Sequence, residues 1–341
     1  MTTFDTAVAQ ARDLLRWRSP LRTELWAGRL AAGLEPGQVE PFLRRLAEDG
    51  SAESRLTLAA LAAVDQAAEA ASGESDGTVA AAGSEDRSAR PHTVAGSGMA
   101  GALPGWVRLM TRVRCEGAWY GKGDPYGEQT LAALSFCYEN GKEPHLLVVG
   151  IDQVSGGLAV DALVEEVKFL DDLELRAADP GVVAGRVLDA FELGDRILGV
   201  AVADTLPAVR PIALARAHAV PDLVRPAPDD TLTRFRELPE LPGAREAFEK
   251  LAEFVGDRPL WWSPARASRF LTSWLPREAI LSEAGIAAMP DVVRAWSRFS
   301  GGHPAVLDQV EADAPRLAAL MADESLAGLG KRIAQSHRRD S

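Results

Sequence analysis

Between Val107 and Val164 the chain reads as short strand segments, alternating apolar and polar in the first and continuously apolar in the third, joined by connections too short to carry a parallel crossover. This combination constrains the fold more than any other feature, because it predicts an antiparallel meander of about four strands. In the first strand Val107, Leu109, Val113, Cys115 and Trp119 alternate with Arg108, Met110, Arg112, Arg114 and Glu116, which predicts one buried face and one wetter face with three arginines. The second strand is expected over 131–139 and ends at the turn dipeptide Asn140-Gly141. The third, over 145–151, is an apolar run suited to the middle of a sheet. Residues 152–157 turn again, and 158–164 return.

The flanks follow the helical period instead. Val8, Ala11, Leu14 and Leu15 form one stripe, and Leu21, Leu25, Leu30 and Leu34 form a second, the pair Ser19-Pro20 stopping the first helix and starting the next. Ser51 is placed to cap a third, through Leu56, Leu61 and Val64. The period resumes after Asp179-Pro180 with Val183, Val187, Leu188 and Phe191. Further on, Ser263 and Pro264 start a helix carrying Ala267, Phe270, Leu271, Trp274 and Leu275, which Pro276 is expected to end. Asp291 is expected to cap another, through Val292, Trp296 and Phe299, with Gly301 as its left-handed terminator.

Between these regions, the segment from Ala71 to Pro104 is Gly, Ser, Ala, Asp and Glu with isolated apolar residues, too few to offset its ordering entropy. His92 within it is assigned no role. The fold class expected is therefore α+β, an antiparallel β-meander flanked by N-terminal and C-terminal helices. Residues 1–70 form the N-terminal helical segment, 71–105 a disordered linker or surface insertion, and 106–200 the sheet with a helix. Residues 201–330 form a C-terminal helical region, and 331–341 a basic, frayed tail.

Composition excludes several function classes. A formal charge of -12 repels phosphate backbones, and the arginines of the first fifty residues are matched seven to seven by acidic ones, so nucleic acid is not an expected partner. No apolar run approaches the roughly 20 residues of a membrane span, and the amino end has no signal-peptide pattern. Cys115 and Cys137 alone make no disulfide framework, which suits a reducing cytoplasm.

The residues offer only weak chemical constellations. Asp124, Glu128, Asp152 and Asp161 fall near one end of the expected sheet, where carboxylates could hold Mg²⁺ or another hard divalent cation; turn formation explains the same residues without a metal. His145 opens the third strand and could serve as a general base, although no nucleophile accompanies it in an elbow or triad pattern. Arg108, Arg112 and Arg114 could hold an anionic ligand. Trp261 and Trp262 are adjacent at a helix start and cannot both face one core, so one of them is a candidate interface residue. No cofactor is predicted outside the divalent-cation alternative. The expected function is a non-enzymatic interaction or regulatory role with a protein partner, and the alternative is a metal- or small-anion-dependent enzyme.

The segments Trp262-Ser263-Pro264, Phe270-Leu271 and Trp274-Leu275-Pro276-Arg277, with Ala118-Trp119-Tyr120, the 124–130 loop, the 152–161 stretch and Glu24-Leu25-Trp26-Ala27, resemble an uncharacterised family of high-G+C, actinobacterial-type bacterial proteins. The resemblance implies that the helical flanks and the sheet belong together. It implies no activity.

Overall fold

A computed structural model describes residues 2–73, 103–197, 199–226 and 229–339. The fold is α+β, with an antiparallel five-stranded sheet and flanking helices. The chain forms two compact units. The first comprises Met1–Tyr120, Ala132–Ile151 and Leu158–Pro226, and the second Gly121–Leu131, Asp152–Gly157 and Ala227–Ser341.

In the first unit, α1 (Thr3–Trp17) starts at a capping box in which Thr2 and Asp5 satisfy each other's backbone amides. Next, α2 (Pro20–Ala32) has Ser19 as N-cap and Pro20 at its first position, as expected. It is followed by α3 (Pro36–Asp49), ended by left-handed Gly50, and by α4 (Ala52–Gly73). Ala11, Leu14, Trp26, Phe42, Leu46, Leu56 and Val64 bury together as the core of these four helices. Of the expected linker, residues 74–102, His92 among them, lie outside the described residues.

The sheet comprises β1 (Val113–Lys122), β2 (Gln129–Tyr138), β3 (His145–Asp152), β4 (Leu158–Glu165) and the short β5 (Arg176–Ala177), in the order β4-β3-β2-β1-β5. The first strand begins later than the alternation suggests. Gly105–Leu109 is a single 3-10 turn, and Val107 and Met110 join the helical core rather than a sheet face. The fifth strand, two residues pairing Ala177 with Trp119 and Arg176 with Tyr120, is too short to leave a period in the sequence. On one face of the sheet, Leu134, Phe136, Leu147 and Val149 pack against α5 (Pro180–Arg196) and α6 (Leu206–His218). Because α6 belongs to this unit, the boundary falls after Pro226 and not near residue 200.

The second unit contains α7 (Thr231–Arg234), α8 (Ala244–Val255), α9 (Pro264–Arg269), α10 (Leu275–Glu278), α11 (Glu283–Phe299), α12 (Pro304–Asp313), α13 (Leu317–Ala322) and α14 (Leu329–Arg339). Phe235, Trp262, Phe270, Leu271, Val292 and Trp296 form its core. Pro276 does not end the helix begun at Ser263. The turn over Phe270–Trp274 widens into a π-helical segment, and the chain continues through α10, which contains Pro276. Likewise α11 begins at the Ser282 cap, before Asp291, and runs through Pro290. The basic tail, expected to fray, is helical from Leu329 to Arg339.

Candidate functional site

The most concentrated buried chemistry lies in the first unit. Gly28 on α2 lets that helix approach α6 so closely that a Cβ there would stand 2.2 Å from the Ala208 carbonyl oxygen. This approach brings Glu24, a turn earlier on α2, to Arg216 of α6. Arg216 Nη2 donates to Glu24 Oε2 at 2.5 Å and Tyr138 Oη donates to the same oxygen at 2.6 Å, while Glu24 Oε1 accepts from the Thr111 amide. Arg216 Nε donates to His145 Nε2 at 3.0 Å, and His145 Nδ1 meets the Glu143 carbonyl at 2.8 Å. Since a guanidinium only donates, His145 is the neutral tautomer with its proton on Nδ1.

All four side chains, Glu24, Tyr138, His145 and Arg216, are about 1% exposed. Burial first, and then the Arg216 charge, push the His145 imidazole down to about 4. Burial and the Glu24 carboxylate push the Tyr138 phenol upward. Both nitrogens of His145 are engaged and sealed from solvent, so the residue acts as a hydrogen-bond bridge between the Glu143 carbonyl and Arg216, without the access a general base needs. The sequence carried no distinct signal for this cluster, since α2 holds Arg22, Glu24 and Arg29 and α6 holds Arg210 and Arg216, and only packing singles out the Glu24–Arg216 pair.

Of the expected carboxylates, Asp124 and Asp152 are engaged in local turn contacts. Asp124 accepts from the amides of Tyr126, at 2.7 Å, and Gln129, closing the β1–β2 connection. Asp152 accepts from the Val154 amide at 3.1 Å, and Asp161 accepts from the Thr205 hydroxyl. The Glu128 backbone carbonyl receives the Gln153 amide at 2.8 Å. Among the described residues no three His, Cys, Asp or Glu side chains are grouped to hold a metal ion.

The arginine face is largely neutralised. Arg112 pairs with Glu139 at 3.0 Å and Arg114 with Glu116 at 2.8 Å, all on the surface, while Arg108 lies on the 3-10 turn rather than the strand.

Of the adjacent tryptophans, Trp262 is core. Its indole donates to Ser297 Oγ at 2.9 Å and its amide to the Tyr126 carbonyl at 2.8 Å. Left-handed Gly127 allows this approach, for a Cβ there would stand 2.2 Å from the Leu260 carbonyl oxygen. Trp261 is half-buried beneath the Arg266 guanidinium, 4.0 Å from the ring centre. The most solvent-facing tryptophan here is neither of these: Trp17 is 58% exposed.

The arrangement with the clearest external face is α14. Lys331 is buried, and its Nζ donates to the Pro276 carbonyl at 2.8 Å; the Gly328 amide donates to the Arg277 carbonyl at 2.8 Å. Burial pushes the Lys331 ammonium pKa down. On the other side Leu329 and Ile333, one turn apart and so on one face, are 72% and 49% exposed, and Leu326 just before them is 39% exposed. The helix is thus held by its lysine with its apolar face outward, the reverse of an ordinary surface helix. Four basic residues and one acidic one fall within 329–341, in a chain that is acidic as a whole.

No protein-family model matches the chain, no curated protein matches it, and no solved structure matches its fold.

Proposed function

We propose that the protein is a cytoplasmic, non-enzymatic interaction protein that offers the apolar face of α14 to a protein partner. The observation that carries this reading is the outward Leu329–Ile333 face on a helix already held by Lys331. Exposed apolar side chains at successive turns are the anchors by which an amphipathic helix enters a groove. Arg332, exposed on the same helix, favours a groove with carboxylates on its rim. Two free cysteines are in keeping with a reducing compartment. No helix among the described residues is long and apolar enough to cross a membrane.

The test compares the full chain with the Leu329→Asp/Ile333→Asp variant as bait, followed by affinity measurement with the purified partner. The expected result is a partner with an acidic, apolar-floored groove whose binding the variant loses and whose affinity falls with salt. Equal binding by both baits, or a partner whose binding is indifferent to α14, overturns the reading.

A further inference from the structure

In the second unit, Arg266 and Trp261 present two buried N–H donors that have no acceptor: Nη1 of the arginine and Nε1 of the indole. The rest of the guanidinium is firmly placed. Its Nη2 donates to the Val255 carbonyl at 3.0 Å and to Phe254 at 3.4 Å, at the carboxyl end of α8, and it stacks 4.0 Å from the Trp261 ring and 5.3 Å from that of Phe254. Arg266 is only 8% exposed, yet among the described residues no carboxylate pairs with it.

A buried charge without a counter-ion is costly. Here the surroundings add to the cost, because Arg258 and Arg269 both act electrostatically on Arg266 and only Asp257 opposes them. Burial, then the Arg258 charge, hold the guanidinium down to about 10. Arg258 itself is committed to the Gln153 carbonyl at 2.9 Å and to exposed Asp257. A water molecule would satisfy the two orphan donors but leave the excess positive charge. An oxyanion satisfies both at once, because it accepts two hydrogen bonds and neutralises the guanidinium.

We propose that Arg266 and Trp261 form a binding site for an oxyanion group, carboxylate or phosphate, with Arg258 and Arg269 supplying the surrounding positive field. Trp261 is half-buried, so the stacked pair lies next to solvent at one edge. The site is independent of the α14 face.

The experiment labels the protein with ¹⁵N-tryptophan and follows its eight indole N–H resonances. Trp261→Phe identifies the signal in question. Sodium acetate and inorganic phosphate are titrated separately at constant ionic strength against chloride. The expected result is a saturable shift of the Trp261 resonance alone; the anion that produces it, or the tighter of the two, assigns the class. Arg266→Gln abolishes that shift, and Arg269→Gln, at an exposed position, weakens binding at low salt. The Arg269 variant keeps the test decisive if the Arg266 variant does not fold. No shift beyond the chloride control, or a common drift of all eight resonances, overturns the proposal.

Discussion

Arg216 donates from Nε to Nε2 of His145 at 3.0 Å while its Nη2 holds the Glu24 carboxylate at 2.5 Å, so one guanidinium joins α2 and α6 to the strand pair β2 and β3. The consequence is mechanical. A charge buried to about 1% exposure is tolerated only while each partner remains in place.

Arg216→Met therefore destabilises the first unit by about 3–5 kcal/mol, because Glu24 is left as an unpaired buried carboxylate. The double variant Glu24→Gln/Arg216→Met recovers part of the loss. Urea unfolding of the two single variants and the double variant measures the coupling. Additive losses would show that the pair is not a unit.

The His145 imidazole makes stability depend on pH with a definite sign. Its pKa is about 4 when folded against an ordinary 6.5, so between those values the unfolded chain binds more protons. Its contribution is complete above about pH 6.5 and is lost as the pH falls toward 4, with a loss of roughly 2 kcal/mol already at pH 5. His145→Gln retains an acceptor for Arg216 but cannot titrate, and flattens this part of the curve. Parallel stability curves for the variant and the natural protein between pH 5 and pH 7 would refute the assignment.

On α14 the usual roles of charge and apolar residue are exchanged, and stability measurements should show it. Leu329→Asp and Ile333→Asp change unfolding free energy by less than about 0.5 kcal/mol, as expected at exposed positions. Lys331→Met costs about 1 kcal/mol or more, because the Pro276 carbonyl loses its donor. Chemical denaturation of the three variants ranks them, and the opposite order would mean that the apolar face is already covered.

Gly127→Ala combines a left-handed backbone with a Cβ placed against the Leu260 carbonyl. The expected cost is at least about 2 kcal/mol. The near-ultraviolet circular dichroism of the tryptophans should change with it, because the Tyr126 carbonyl no longer meets the Trp262 amide. An unchanged spectrum and melting curve would show that the loop accommodates the methyl group.

The sequence by itself determined the local architecture. Alternation and short connections specified the antiparallel meander, the Ser19-Pro20 and Ser263-Pro264 pairs specified helix starts, and turn chemistry explained Asp124 and Asp152, because periods and caps act over a few residues. Relations across long separations were decided only by tertiary structure. Glu24 and Arg216 lie 192 residues apart, and nothing local announces that Gly28 lets their helices touch. The outward face of α14 is of the same kind: the sequence alone predicts a frayed tail there, and which side of the helix is held depends on a carbonyl 55 residues earlier. Composition ranks what a side chain can do, whereas burial and the choice of partner, which set its pKa and its access to solvent, are properties of the packed chain.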